Sequence, residues 1–124
     1  MPPYEFDPNA PIYLQIIGEI KKRSVRGVYS PGSKLPSVRD MAKEMGVNPN
    51  TMARAYAELE REGFVFTRRG QGSFVTEDGK KIEAEKRKLA QSAVARFVVE
   101  VGELDLSSEQ IADLLRDIEE DLTR

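Results

Sequence analysis

At 124 residues, 40% of them apolar, the chain is one domain's worth of polypeptide or a small domain with an appendage. It has no cysteine and no histidine, which excludes disulfides and thiolate metal sites and removes the commonest general base and metal ligand, so an enzyme is disfavoured. Its 19 Lys+Arg and 21 Asp+Glu fall unevenly, 11 and 8 in residues 1–76 and 8 and 13 in residues 77–124.

A mildly basic half joined to an acidic one suits a polyanion-binding module with an appendage that does not touch the polyanion, although ordinary scatter in surface charge gives the same sums. No apolar run approaches the ~20 residues of a membrane span. The opening Met1-Pro2-Pro3-Tyr4-Glu5 lacks the basic and apolar regions of a signal peptide, and the expected location is cytoplasmic.

Four prolines up to Pro11 make residues 1–10 an extended N-terminal arm. From Ile12 the apolar residues Ile12, Tyr13, Ile16, Ile17 and Ile20 recur at three- and four-residue steps, predicting an amphipathic helix to about Arg26 with Gly27 as its stop. Ser30-Pro31-Gly32 is a turn. Ser37 then caps a second helix, with Asp40 three residues on as a variant of the capping box. Val38, Met41, Ala42 and Met45 form its buried stripe, and Gly46 ends it.

After Val47, Asn48 is a cap residue and Pro49 takes the first position of a third helix. Met52, Ala55, Tyr56 and Leu59 share its inward face, and Gly63 closes it. Two short helices joined by Gly46-Val47 form a helix-turn-helix. Phe64–Arg68 and Ser73–Thr76 are strand-like, with Arg69-Gly70-Gln71-Gly72 as the hairpin loop between them, and this hairpin reads as a wing. Tyr13, Tyr56, Phe64, Phe66 and Phe74 fall on apolar stripes or strand faces and read as core.

Glu77-Asp78-Gly79 is a polar break. Beyond it Ile82, Leu89, Ala93, Phe97 and Val101 step along a long helix, with Ala90, Val94 and Val98 widening the stripe. Ser107 caps a last helix, Gln110 completes a capping box, and Leu106 is placed to staple onto Ile111. That helix carries Ile111, Leu114, Leu115, Ile118 and Leu122 on one face and an acidic outer face. The expected fold is mainly α with a small β-hairpin: an arm (1–10), a winged helix-turn-helix (11–78) and a two-helix dimerisation tail (79–124).

A helix reads the major groove only if one face packs on the body while the other presents donors. In the third helix the outer residues are Asn50, Thr51, Arg54, Glu58 and Arg61, and the first three lie in the part that reaches base edges. Asparagine bonds adenine bidentately, arginine forks onto guanine, and the helix N-terminus attracts phosphate. The plainer alternative is that Asn50 and Thr51 only cap and Arg54 is solvated.

Arg39, at the start of the second helix, is placed for a phosphate or base, or for a carboxylate such as Asp40 or Glu44. Arg68, Arg69 and Gln71 lie at the wing tip, where Gly72 lets the backbone approach closely. Lys80, Lys81, Lys86, Arg87 and Lys88 either add phosphate contacts or form a solvated helix face.

The ordered blocks Pro31-Gly32-Ser33-Lys34-Leu35-Pro36-Ser37-Val38-Arg39, Gly46-Val47-Asn48-Pro49-Asn50-Thr51, Ala55 to Gly63 and Arg68-Arg69-Gly70-Gln71-Gly72-Ser73-Phe74-Val75 closely resemble the GntR family of bacterial repressors. The resemblance implies a winged helix, dimeric binding to a palindromic operator, and repression usually relieved by a small ligand, here unidentified. No cofactor or metal is expected. It also implies DNA contacts at Arg39, from Asn48 to Thr51 and at Gly72, giving a candidate set of Ser37, Arg39, Asn48, Asn50, Thr51, Arg54, Arg69, Gln71 and Gly72.

One position departs from the family. Where many members have an arginine two residues after the threonine, this chain has Ala53, with Arg54 next, rotated by about 100° and so not heir to the same contact. The short tail is similar to that of the YtrA-type subfamily, with too little mass to enclose a sizeable pocket. Leu89, Phe97, Val101, Ile111, Leu115, Ile118 and Leu122 are its expected dimerisation residues, pairing two chains so that recognition helices meet half-sites about one helical turn apart. The expected function is thus a sequence-specific repressor acting on double-stranded DNA as a homodimer. The alternative is a winged-helix module that binds a protein partner instead.

Overall fold

The computed structural model describes residues 4–124. In chain order they form α1 (Ile12–Val25), α2 (Val38–Met45), α3 (Pro49–Arg61), β1 (Val65–Arg68), β2 (Gly72–Val75), α4 (Gly79–Gly102) and α5 (Ser108–Leu122). The chain divides into two compact units that meet between Arg87 and Lys88, so α4 starts in one and ends in the other.

In the first unit α1 buries Ile16, Ile17 and Ile20, residues three and four apart on one helical face. Ile12, counted with that stripe by periodicity, is 45% exposed, and Tyr13 faces the core at the first turn instead. Pro11 offers no side-chain cap, and Gln15 ties down the entry to α1. Its amide donates to the Asp7 and Ala10 carbonyls (2.8 and 3.0 Å), and its oxygen accepts the Asp7 N–H (2.8 Å). Of the arm expected over residues 1–10, residues 1–3 lie outside the described residues, and residues 4–10 fold back through a turn at Pro8-Asn9, with Tyr4 and Phe6 edge to face and packed against the core.

Ser37 caps α2 by accepting the Asp40 N–H at 3.1 Å, and only this half of a capping box forms. Gly46 ends α2 at φ 71°, a left-handed conformation that costs glycine little. Asn48 accepts the Asn50 N–H at 2.7 Å and Pro49 opens α3, as cap chemistry predicts. Met41, Ala42 and Met45 of α2 meet Met52, Ala55, Tyr56 and Leu59 of α3 in one core with the α1 isoleucines, Leu35, Phe64, Val65 and Val75.

The hairpin is antiparallel in the register Val65↔Val75 to Arg68↔Gly72. Its loop is therefore the three residues 69–71, with Gly72 inside the ladder. Residues 33–35 add a third edge that the sequence did not announce: Leu35 N–H donates to Ser73 and Val75 N–H to Ser33 (2.8 and 2.9 Å). Phe66 and Phe74, expected in the core, are half-buried and stacked on the hairpin surface, centroids 5.4 Å apart.

Asp78 accepts the Lys80 N–H (3.0 Å) where α4 starts. The first turns of α4 hold to this unit through Ile82, packed on the core, and through Glu85, which shares Lys21 with Glu62 at 3.2 and 3.0 Å.

In the second unit α5 opens with a complete capping box: Ser107 accepts the Gln110 N–H (3.1 Å) and Gln110 accepts the Ser107 N–H (2.9 Å). Leu106 and Ile111 are both half-buried, yet α5 has no fully buried residue. Among the described residues no helix is long and apolar enough to cross a membrane, and no group of carboxylates could hold a metal ion.

Candidate nucleic-acid interface

The start of α3 is the best-prepared part of the surface. Pro49 has no N–H, the Asn50 N–H is taken by the Asn48 cap, and the Met52 N–H donates to the Asn48 carbonyl, which leaves the Thr51 N–H open to an anion. Fewer amides are thus available to a phosphate than a bare helix terminus would present. Asn48 itself has one side-chain oxygen committed to the cap and keeps its amide nitrogen as a donor. Asn50 is exposed, and its side chain has no partner among the described residues; Thr51 is half-exposed.

Further along the outer face, Arg61 grips Glu58 through two hydrogen bonds of 2.6 and 3.1 Å. That hydrogen bond, with the nearby positive charge, holds the Glu58 carboxyl below its ordinary range. The pairing commits the Glu58 carboxylate to Arg61, with Arg54 adding only a more distant charge. Arg54 lies instead over the ring of Tyr13, 3.7 Å from its centroid. Neither free solvation nor a simple core tyrosine describes this pair.

Arg39 is exposed on the first turn of α2 and pairs with neither carboxylate that the sequence offered it. Glu44 is engaged by Arg23 at 3.2 Å, and Arg23 also donates to the Tyr29 hydroxyl. Ser37, the N-cap two residues earlier, has its oxygen committed to the cap and its hydroxyl proton free to donate. Arg69 and Gln71 are exposed at the wing tip, and their side chains have no partners among the described residues, while the Gln71 N–H donates to the Arg68 carbonyl at 2.9 Å. Arg68 covers Phe66 and Phe74 at 5.3 and 5.4 Å and lies 3.9 Å from Glu77.

Gly72 has φ 118°, and a Cβ there would come within 2.9 Å of the Lys34 side chain. Lys34 therefore joins the wing surface, a placement sequence reasoning missed because its signal, the third edge at 33–35, is a tertiary contact. Of the basic run after the wing, Lys81 brings its ammonium over Gly63, where a cation complements the C-terminal end of the α3 dipole.

The family model described as bacterial regulatory proteins, gntR family, matches residues 12–75, the unit that carries this surface. The chain belongs to the GntR family. This GntR chain is 46% identical to the uncharacterised HTH-type transcriptional regulator YhcF of Bacillus subtilis over 88% of its own length and 90% of that protein. It is 35% identical to the HTH-type transcriptional repressor YtrA of the same organism, over 95% and 93%. The structure of a GntR family regulator from Listeria monocytogenes superposes with a TM-score of 0.81 at 39% identity, over 90% and 98% of the two chains. The AraR DNA-binding domain in complex with an operator does so at 0.55 and 25% identity, over 61% and 96%. Near-complete coverage by YtrA places the short tail, and with it the GntR chain as a whole, in the YtrA-type subfamily.

The tail residues expected to pair two GntR chains differ in what they offer. Leu115, Ile118 and Leu122 are exposed on α5, as is Leu114. Leu89, Phe97 and Ile111 are half-buried, and Val101, 7% exposed, is withdrawn within its own chain. Val94, Val98 and Val99 extend the exposed apolar surface along α4.

Proposed function

We propose that this chain is a transcription repressor that binds a palindromic operator as a homodimer and acts in the cytoplasm, where its DNA is. The observation that carries the reading is the capped start of α3, which presents Asn50, Thr51 and Arg54 outward while their neighbours Met52, Ala55 and Tyr56 are buried. Arg39 and Arg69 supply unneutralised cations on the adjoining helix and the wing, as phosphate contacts require. The fold offers base-edge donors and charge on one surface, which supports a regulatory role.

A second copy of the chain is the partner that fits the exposed leucines and isoleucine of α5. A 124-residue chain has little core to spare, and apolar faces on its tail gain most by meeting their own equivalents.

Selection of bound sequences from a random duplex pool, with the mass of the protein in solution measured alongside, tests this. The expected result is an enriched palindrome bound by a dimer, about 10³-fold or more over random duplex. Arg39→Ala is expected to weaken binding by about 1–3 kcal/mol with the melting temperature unchanged. Equal affinity for the enriched sequence and random duplex would exclude the reading.

A further inference from the structure

Arg54 and Asn50 stand four residues apart on α3, hence about 40° apart around its axis, on the side away from Met52, Ala55, Tyr56 and Leu59. Arg54 is exposed and forms neither a hydrogen bond nor an ion pair among the described residues. Its guanidinium lies on the face of Tyr13 at 3.7 Å. Tyr13 is in the first turn of a different helix, half-buried against the core. That turn is itself fixed by the three hydrogen bonds between Gln15 and the backbone of Asp7 and Ala10. The arginine thus rests on an anchored element through its face, while the Glu58 carboxylate, hydrogen-bonded to Arg61, acts on it only as a nearby charge.

A guanidinium stacked on a ring keeps its N–H donors in its own plane, at the ring's edge, so stacking and a forked hydrogen bond do not compete. Stacking also removes rotamer freedom before any ligand arrives. That preparation matters for a contact with one acceptable geometry, the paired O6 and N7 acceptors of a guanine edge. It matters little for a phosphate, whose several oxygens a mobile cation satisfies equally well. Asn50, on the same stripe one turn earlier, is the companion that a base-reading face needs.

We infer that Arg54 determines specificity by forking onto a guanine edge in each half-site, and that Tyr13 is the positioning residue that aims it. The inference rests on the DNA-binding reading above and goes beyond it by naming the base class and the helix that sets the aim.

The test is the base preference of the full chain, determined by selection from a random duplex pool for wild type, Arg54→Ala, Tyr13→Leu, Tyr13→Phe and the double variant Tyr13→Leu/Arg54→Ala. Arg54→Ala is expected to lose discrimination for guanine at one position per half-site by about fivefold or more, the scale of a bidentate pair. Tyr13→Leu is expected to lose about two- to fivefold at that same position, the scale of an exposed cation–π contact. Tyr13→Phe keeps the aromatic face and is expected to keep the preference. In the double variant the Tyr13 change has no further effect.

Uniform weakening on all sequences by Arg54→Ala would make it a phosphate contact and overturn the inference. So would an unchanged preference in Tyr13→Leu. Thermal melts of each variant separate a lost aim from a lost fold, because misfolding lowers binding to every sequence and the conservative Tyr13→Phe carries no core cost. A wild-type chain that enriches nothing would overturn the DNA-binding reading itself, and this inference with it.

Discussion

Tyr56 shows how one residue serves both the core and the approach to the surface. Its ring is buried in α3, and its hydroxyl donates to the Pro36 carbonyl at 2.6 Å, bracing the turn that leads into Ser37 and Arg39. Burial, with the nearby Tyr29 and Glu44 adding to it, pushes the Tyr56 phenol well above its ordinary value. Below pH ~10, the ordinary tyrosine value, folded and unfolded chains both hold this proton and its contribution to stability is complete. As pH rises through that value the unfolded chain releases the proton and the folded chain does not, so stability is lost on the alkaline side. Tyr56→Phe is expected to cost about 1–2 kcal/mol near neutral pH, from the lost hydrogen bond and the carbonyl left behind. It should also flatten the fall in stability above pH ~10 relative to wild type, since phenylalanine has no proton to lose. Denaturant titrations of both proteins across that range check the difference; parallel curves would show that Tyr56 ionises as freely folded as unfolded.

Among the elements, the wing depends most on contacts between distant segments. Gly72 pairs with Arg68 at φ 118°, where a side chain is strained whatever space surrounds it, while the Lys34 chain that a Cβ would meet is flexible. Gly72→Ala is expected to cost about 1–3 kcal/mol, mostly from backbone conformation. Because strain falls on the hairpin, operator binding is expected to fall while α1 to α3 keep their helical signal; circular dichroism and a binding titration check this together. The helices were legible in the sequence because their signals are local: Ser37, Asn48 and Ser107 cap where cap chemistry predicts, and Gly46 stops α2. The inward stripe of α3 was legible for the same reason. Three features were not. The third edge at residues 33–35, the outward turn of Ile12 and the surface stacking of Phe66 on its cross-strand partner Phe74 are set by contacts between elements, which periodicity cannot see. Arg54 on Tyr13 belongs with them, 41 positions apart in sequence and touching only once α1 and α3 pack.

At the scale of the whole molecule, the proposed homodimer rests on the tail's exposed apolar face. Leu115 is 49% exposed in the single chain, and α5 has no fully buried residue, so an aspartate at Leu115 costs the isolated chain little. The same aspartate facing its counterpart across a twofold interface would place two carboxylates in an apolar contact, which is strongly unfavourable. Leu115→Asp is therefore expected to halve the mass in solution while leaving the melting of the first unit unchanged. Val101→Asp would not serve, because Val101 is buried within its own chain and its loss would disturb the tail directly. If the proposed dimer is lost, binding at the second half-site becomes an independent event rather than an intramolecular one, so affinity for a full palindrome is expected to fall by about a hundredfold or more. Affinity for an isolated half-site should not change, since the surface built from Arg39, Asn50, Thr51 and Arg54 is untouched. Sedimentation and titration against full and half operators separate these effects. A Leu115→Asp protein that remains dimeric would move the interface off the α5 face, and one that loses half-site affinity as well would show that the tail supports the DNA-binding unit rather than only pairing it.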